Sequence, residues 1–247
     1  MNNDFCEAEG RTVICGELSE GVREALAGVG FRIVDIPRNE SVGYPVGRHA
    51  DLSVCLIPGA AVIRPGLAGD AVIRGILEKS GREIIIAERE PAGEYPGDCS
   101  LCACVCGDYL ICREASTDPA LLREGVRRGL TVLGVRQGYA ACSCLALSDG
   151  ALVTDDPGIA AAFGAKGWDV LLVEKGYVSL PGYDRPDAPG GFFGGCCGLC
   201  GNFAVFAGNL ETHPEAGAIR EFLKLHGTEE FSAGEGMLFD TGKLIFP

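Results

Sequence analysis

The chain has 247 residues, of which 47% are hydrophobic and 22% are charged, a composition typical of a globular protein with a large core. Its formal net charge of −13 leaves no basic face of the kind that binds nucleic acids. The sequence starts without the basic residues and apolar run of a signal peptide, and no stretch is long enough for a membrane span. We therefore expect a cytoplasmic protein with neither nucleic-acid nor membrane partners.

One strand–hairpin–helix–strand unit recurs along the chain, and its clearest copy begins at Gly138. Residues 138–147 are predicted to form a strand, Asp149-Gly150 marks the hairpin turn, and residues 151–154 return. An aspartate cap at 155–156 with Pro157 predicts the start of a helix, which ends before the buried strand 168–173.

Three other copies follow the same order. Their first strands are predicted at 49–57, from Asp98 and near Phe192, their helices at 68–79, after 117–119 and after 212–214, and their last strands at 83–87, 131–135 and near 230–232. The beginning of the chain supplies only a half-unit, with strand 11–15, helix 19–27 and strand 31–36. Residues 237–246 form a leftover strand, and we expect it to pair with residues 11–15 and complete a fifth unit.

The hairpin turns at Pro58, Gly107, Asp149 and Gly201 are 49, 42 and 52 residues apart, a period typical of propellers and solenoids. The alternative is a doubly wound βαβ fold, but the hairpin in every unit argues against it. The sequence therefore predicts a single domain over residues 1–247, a five-fold α/β-propeller of ββαβ units whose closure removes exposed sheet edges.

A ring of five such units resembles the pentein fold of guanidino-group-modifying enzymes, such as arginine deiminase and dimethylarginine hydrolase. Four stretches (135–139, 153–156, 191–195 and 239–242) look like those of a bacterial family, without assigned activity, that belongs to this fold. The resemblance to the family covers nearly the whole chain, whereas the resemblance to the enzymes is one of architecture, which does not fix function.

Small and polar residues recur at equivalent places in the predicted first strands. Positions seven residues before the turns are Asp51, Ser100, Cys142 and Gly194, and positions five residues before them are Ser53, Cys102, Cys144 and Cys196. The last half-unit would add Asp240. We expect these carboxylates, thiols and hydroxyls to converge on one cleft at the centre of the ring.

The resemblance implies a cysteine nucleophile, a histidine acid/base and carboxylates that hold a guanidinium. His49-Ala50-Asp51 is similar to the His-x-Asp of arginine deiminase, and Gly194-Gly195-Cys196-Cys197 to the glycine-rich run before the enzymes' cysteine. In those enzymes, however, the His-x-Asp falls late in the chain, and a basic residue directly precedes the cysteine. A non-catalytic binding or structural protein of the same fold is therefore the alternative function.

Cys142 is the preferred nucleophile and Cys197 the second candidate. His49 is expected to act as acid/base on the same strand face as Asp51, with His213 as the alternative. Asp51 and Asp240 are expected to hold a small cationic ligand. Asp98 and Asn209 are further candidates for substrate binding. If Cys142 is active, we expect a depressed pKa at its thiol.

Each candidate also has a purely structural explanation. His49 and His213 stand at the start of a strand and of a helix, and buried cysteines behave as small apolar residues. The 13 cysteines also raise a metal alternative, in which Cys99-x-x-Cys102 and Cys197-x-x-Cys200 supply four thiolates. Both pairs fall on or near predicted strands instead of knuckle turns, so no metal or other cofactor is predicted. The sequence leaves the substrate, the reactive cysteine and the oligomeric state open.

Overall fold

The computed structural model describes residues 11–184 and 189–247, and a repeated unit accounts for most of them. Unit 1 contains the parallel strands β1 (Thr12–Cys15) and β2 (Arg32–Asp35), joined by helix α1 (Glu20–Gly28). Units 2 to 5 each contain an antiparallel hairpin, a helix, and a third strand parallel to the second.

The elements of units 2 to 5 follow in chain order. Unit 2 has β3 (Val54–Ile57), β4 (Ala60–Ile63), α2 (Ala71–Lys79) and β5 (Glu83–Ile86), and unit 3 has β6 (Cys104–Cys106), β7 (Tyr109–Cys112), α3 (Pro119–Arg127) and β8 (Thr131–Gly134). Unit 4 has β9 (Cys144–Ala146), β10 (Leu152–Thr154), α4 (Pro157–Gly164) and β11 (Val170–Leu172). After the short strand β12 (Val178–Ser179), unit 5 has β13 (Cys197–Cys200), β14 (Phe203–Ala207), α5 (Ala216–Leu225) and β15 (Glu229–Ala233), and β16 (Leu238–Phe239) follows.

Local sequence sets where the helices begin. The side chains that precede four of them accept a hydrogen bond from the first helical turn, namely Ser19, Asp70, Asp118 and Asp156. This confirms the aspartate cap predicted before Pro157, and the helix predicted after 117–119 begins with the same kind of cap at Asp118. None of the helices in residues 11–184 and 189–247, ten residues at most, combines the length and the apolarity needed to cross a bilayer.

Neighbouring units are held together by cores that they share. Five buried apolar clusters each combine side chains from two units, in the pairs 1–2, 2–3, 3–4, 4–5 and 5–1. In the last of these clusters, Val13 of unit 1 packs with Val205 of unit 5. Because each unit contributes to two cores, no unit buries its apolar surface alone.

The C-terminal segment completes unit 1, as predicted, but over a shorter stretch. Ile14 and Ile245 exchange two backbone hydrogen bonds of 2.9 Å in an antiparallel bridge. The prediction that all of residues 237–246 pair with residues 11–15 is wrong, because Leu238–Phe239 pairs in parallel with Val178–Ser179. The segment therefore contacts two different partners instead of forming one long strand.

The predicted first strands at 49–57 and 138–147 are also longer than the observed ones. Tight turns with local hydrogen bonds come first, from Ser53 N to Ala50 O (3.0 Å) and from Cys144 N to Ala141 O (3.2 Å). The prediction that His49 and Asp51 lie on one strand is therefore wrong. The turns direct polar side chains inward before each strand begins, which an extended backbone with alternating faces would not do.

We predict that the C-terminal bridge is essential to stability. Ile245 is 6% exposed, so Ile245→Ala should lower the free energy of unfolding by about 2 kcal/mol or more through the cavity it leaves. Deletion of residues 238–247 should prevent cooperative folding. The measurement is thermal and urea unfolding followed by circular dichroism.

The matched control for this prediction is Leu225→Ala, at a side chain that is 76% exposed, which should change stability by less than about 0.5 kcal/mol. Equal and small effects of the two substitutions would show that the bridge does not stabilise the fold.

Candidate functional site

Polar side chains from three units and the C-terminal segment meet where the first strands begin. His49 and Asp51 precede β3, Cys102 precedes β6, Cys142 precedes β9, and Asp240 follows β16. Each of these five residues is at most 5% exposed. We call them the central cluster. Titratable groups are rarely buried without a partner, so this concentration marks a candidate site.

Cys142 contacts two other members of the central cluster, Asp51 and His49. Its thiol donates a hydrogen bond to Asp51 Oδ2 over 2.7 Å, and its Sγ lies 3.9 Å from His49 Nδ1. The Cys102 thiol donates to the same Asp51 oxygen over 3.2 Å. One carboxylate oxygen therefore holds two thiols, while an imidazole approaches one of them from another side.

His49 lies between Cys142 and Asp240. Its Nε2 is 3.9 Å from Asp240 Oδ1, so thiol, imidazole and carboxylate form a series. Asp240 is held by two backbone donors, Phe192 N to Oδ2 and Gly242 N to Oδ1, each over 2.9 Å. The order of the three groups is that of a nucleophile, a base and an orienting carboxylate, but the distance of 3.9 Å between His49 Nε2 and Asp240 Oδ1 is longer than a hydrogen bond.

Two glycines in the predicted motifs allow these side chains to approach the backbone. A Cβ on Gly195 would lie 2.0 Å from Asp240 Oδ1. Gly242 has φ +68°, and a Cβ there would lie 2.2 Å from His49 Cβ. Larger residues would displace Asp240 or His49, which explains the glycines of the stretches 191–195 and 239–242.

The electrostatics of the site keep the thiol of Cys142 protonated. Burial raises the pKa of Cys142 well above its ordinary value, and the hydrogen bond with Cys102 and the charge of Asp51 raise it further. The expectation of a depressed pKa at this cysteine is therefore wrong for the protein without a ligand. Burial also raises the pKa of the Asp240 and Asp98 carboxyl groups.

Several carboxylate oxygens around the site are buried without a hydrogen-bond donor. They are Asp51 Oδ1, Asp98 Oδ1 and Asp155 Oδ1. Among the described residues, no lysine or arginine forms an ion pair with Asp51 or Asp240. An oxygen buried without a partner is destabilising, so a hydrogen-bond donor would be favourable beside each of these oxygens.

A cavity of about 150 Å³ gives access to the central cluster. His49, Cys142 and Asp240 line it together with the aromatic side chains of Tyr95, Tyr139, Tyr183 and Phe192. Asp98 lies behind Tyr139, whose hydroxyl donates to Asp98 Oδ2. The cavity therefore combines an acidic, thiol-bearing end with aromatic walls, and its size suits a small molecule.

The structure brings four of the predicted site residues together, namely Cys142, His49, Asp51 and Asp240. It places three others elsewhere. Cys197 donates to Phe193 O (3.3 Å), His213 bonds to Glu174 O (3.2 Å) and to Glu215 N (3.1 Å), and Asn209 caps a short turn through Glu211 N. Burial lowers the pKa of His213, which packs against Tyr177 and Phe193 as a structural side chain.

The two CxxC pairs do not form the four-thiolate site considered above. Cys99 Sγ contacts Pro96 O, whereas Cys200 belongs to the core shared by units 1 and 5. Two other sets place ligand atoms within 4.8 Å of one another, namely His49, Cys142 and Asp240, and Asp51, Cys102 and Cys142. Both sets contain the side-chain types that bind Zn²⁺.

Sequence reasoning did not select Cys102 as a candidate catalytic or substrate-binding residue, although Cys102 lies five residues before a hairpin turn. The signal was its equivalence to Cys144 and Cys196 when counted back from the turns. Which of these thiols reaches Asp51 depends on the turns before the strands, and residue counting does not reveal those turns.

Comparison with solved structures identifies the fold class of the protein. A dimethylarginine dimethylaminohydrolase, determined as a histidine-to-glycine variant in an adduct with S-methyl-L-thiocitrulline, matches with a TM-score of 0.50 and 12% identity over 91% of this chain and 92% of its own. The agmatine deiminase of C. jejuni has a TM-score of 0.50 and 10% identity over 94% and 78%. The amidinotransferase SxtG of Microseira wollei, from saxitoxin biosynthesis, has a TM-score of 0.50 and 11% identity over 91% and 88%.

The protein therefore has the α/β pentein fold of guanidino-group-modifying enzymes. Within that class, it belongs to the Family of unknown function (DUF6873), whose model matches residues 13–245. No curated protein matches the sequence. The family does not specify a reaction, so the chemistry must be argued from the central cluster.

We predict that Asp155 makes stability depend on pH. Burial raises the pKa of Asp155 to about 7, while the attraction of Lys175 and a hydrogen bond from Phe193 N oppose the shift. The stabilisation of its protonated form is complete below about pH 4 and is lost as the pH rises through about 7. Between pH 5 and 8, wild-type stability should fall relative to Asp155→Asn by roughly 2–3 kcal/mol.

The measurement for this prediction is urea unfolding of both proteins at several pH values. Asp108→Asn, at an exposed position in a hairpin turn, is the control and should follow the wild type. A constant difference between wild type and Asp155→Asn at every pH would refute the prediction.

Proposed function

We propose that this protein is a cysteine-dependent enzyme that acts on a guanidino or amidine group of a small cationic molecule, as a hydrolase or an amidinotransferase. The observation that carries the proposal is the contact set of Cys142, with Asp51 and His49 beside one thiol and Asp240 beyond the imidazole. We also propose that the five units form a five-fold α/β-propeller with the central cluster on its axis. The five shared cores support this arrangement.

The charge of the site supports a cationic substrate. Asp240 lines the cavity, Asp51 lies behind Cys142 as the acceptor of its thiol, and Asp51 Oδ1 has no hydrogen-bond donor. A guanidinium would supply both the positive charge and a planar set of N–H donors that match carboxylate oxygens. The ring of Tyr139, 5.8 Å from the ring of Phe192, offers a flat surface beside such a group.

The raised pKa of Cys142 gives the substrate a part in activating the enzyme. Without a ligand the thiol stays protonated, because an anion there would be buried beside Asp51. A bound cation offsets this repulsion, so the thiolate would form only when a guanidinium is present. The enzyme would then discriminate against neutral analogues by their failure to ionise Cys142.

The distances suggest a path for the protons. Asp51 Oδ2 already accepts the S–H hydrogen bond over 2.7 Å and would take the thiol proton as Sγ attacks the central carbon of the guanidinium. His49, oriented by Asp240, would protonate the departing amine. Hydrolysis of the resulting thiouronium by water gives a ureido product, whereas attack by an acceptor amine gives amidino transfer.

Three similar structures support the choice of chemistry. A dimethylaminohydrolase, a deiminase and an amidinotransferase all share this fold, and their names describe reactions at a guanidino or amidino group. The 12 described cysteines are free thiols, in keeping with the proposal that the protein works in the reducing cytoplasm.

The test is incubation with guanidino compounds that differ only in the group attached to the guanidinium, with assay of ureido product, amine and ammonia. We expect at least one compound to be consumed, and Cys142→Ala to lower turnover by about a thousandfold or more. Asp240→Asn should raise KM by roughly 10- to 100-fold, since it removes a charge-assisted contact. Mass spectrometry after acid quenching should detect an adduct on Cys142.

The matched control is Cys106→Ala, which removes an equally buried thiol outside the central cluster. It should leave turnover within about twofold of wild type. Stabilisation by guanidino compounds without product or adduct would instead support the alternative, a non-catalytic binding protein. Neither stabilisation nor turnover with any cationic compound would reject both functions.

A second candidate function is thiolate metal binding, which the set of Asp51, Cys102 and Cys142 favours. If a metal is the natural occupant, added Co²⁺ should give thiolate charge-transfer absorption at one equivalent, and Cys102→Ser should abolish it. Because the guanidino proposal requires an open site, we expect weak Co²⁺ binding that guanidinium displaces. Purified protein with one tightly bound zinc, lost in Cys102→Ser, would favour the metal function.

A further inference from the structure

The turn that carries Cys142 is contacted by a side chain from the C-terminal segment. The ammonium of Lys243 donates to Cys144 O over 2.7 Å and to Ala141 O over 3.3 Å. These two carbonyl groups flank Cys142 in the sequence. A hydrogen bond from a charged group is stronger than one between neutral groups, so Lys243 holds the backbone on both sides of the residue that bears the thiol.

One oxygen of the turn takes part in both its local and its long-range contacts. Within the turn, Ser143 N donates to Tyr139 O over 3.0 Å, and Cys144 N donates to Ala141 O over 3.2 Å. Ala141 O is also one of the two oxygens that Lys243 binds. The closure of the turn and its attachment to the C-terminal segment are therefore coupled.

The backbone of Lys243 is held in an unusual conformation. Among residues 11–184 and 189–247, it is the only residue other than glycine with a positive φ, at 76°. Its N–H donates to Gly195 O over 2.8 Å, and Thr241 N donates to the same oxygen over 3.0 Å. A left-handed backbone is unfavourable for a residue with a Cβ and persists where surrounding contacts maintain it. The contacts of this side chain are therefore candidates for a function.

Gly194 makes room for the contacts between Lys243 and the turn. A Cβ at Gly194 would lie 2.5 Å from Cys144 O and 2.6 Å from Ala141 O, the two oxygens that accept from the ammonium. The same Cβ would lie 2.2 Å from Cys144 N. A larger residue at position 194 would therefore displace the turn, which gives this glycine of the predicted motif a reason that is independent of Lys243.

We propose that Lys243 is a positioning residue for Cys142. Its hold on the turn keeps the thiol 2.7 Å from Asp51 Oδ2 and at the wall of the cavity that Cys142 lines. Lys243 lines a different cavity, of about 180 Å³, so it acts through the turn and not on the substrate. The inference rests on the proposed function, in which this thiol attacks the substrate. A displacement of about 1 Å in a reacting group can lower a rate by roughly 100-fold.

The test uses two substitutions that remove the ammonium in different ways. Lys243→Met keeps the apolar stem of the side chain, whereas Lys243→Gly suits the left-handed backbone and so protects folding. With a guanidino compound that the wild type consumes, both should lower kcat by about 10- to 100-fold and leave KM within about threefold, because Asp240 keeps its contacts. Lys243→Arg retains N–H donors and should lose less kcat than Lys243→Met. Gly194→Ala should lower kcat in the same way.

The position of the turn can also be measured without a substrate. Hydrogen exchange followed by mass spectrometry reports on the amides of Ser143 and Cys144, which are hydrogen-bonded within the turn. Lys243→Met, Lys243→Gly and Gly194→Ala should each accelerate exchange in peptides that cover 143–144 by about tenfold or more. Exchange in β7 should stay unchanged, since that strand belongs to another unit.

Two controls separate position from stability. Ile245→Ala changes the same segment and should lower stability, but should leave kcat within about twofold, because the backbone partner of Ile245 is Ile14. Lys166→Met, at an exposed lysine, should change neither quantity. An unchanged kcat in both Lys243 variants, or an equal loss of kcat in Ile245→Ala, would overturn the proposal.

The exchange measurement distinguishes failure of this proposal from failure of the proposed function. If the wild type consumes no guanidino compound, the proposed function fails, whereas faster exchange in the Lys243 variants would still support a turn held by Lys243. Unchanged exchange would overturn the positioning role in that case as well. A wild type that is active beside Lys243 variants of equal kcat would reject the positioning role alone.

Discussion

Two carboxyl groups buried where the first strands begin affect the protonation of the groups around them, above all the thiol of Cys142. Asp51 and Asp240 lie at most 2% exposed, and their nearby donors are thiols, backbone amides and one imidazole. Thiols are weak donors, so they offset little of the desolvation of a carboxylate. Burial therefore raises the pKa of both the Asp240 carboxyl group and the Cys142 thiol, and in the proposed function a cationic ligand would stabilise their charged forms.

Similar burial has opposite consequences for two thiols a short distance apart. Burial raises the pKa of Cys142 and the charge of Asp51 adds to this effect, whereas a hydrogen bond with Cys144 and the charge of Lys243 lower the pKa of Cys104. The C-terminal segment contributes to both environments, since Asp240 and Lys243 are three residues apart on it. Hydrogen bonds and neighbouring charges therefore shift the pKa values of the two thiols in opposite directions, although both thiols are buried.

The repeated unit could be predicted because its signals are local. Helix caps such as Asp118 and Asp156, and turns such as Asp149-Gly150, act within a few residues. The convergence of Cys142, Asp51 and Asp240 followed from the repeat. The tight turns before β3 and β9 did not, because the count back from each hairpin treats the backbone before the strand as extended. The family resemblance also suggested His213, whose neighbours in the fold are aromatic rings and not thiols.

Successive units share cores, and unit 5 shares one with unit 1. The first and last units therefore have two neighbours in space, as the other units do. In the proposed five-fold propeller, the residues that precede each first strand would face the same central space, whichever unit they belong to. A functional group can therefore migrate from one unit to another during evolution and still face the same ligand. In that arrangement, the early position of His49-Ala50-Asp51, compared with the late His-x-Asp of arginine deiminase, would not by itself argue against the proposed chemistry.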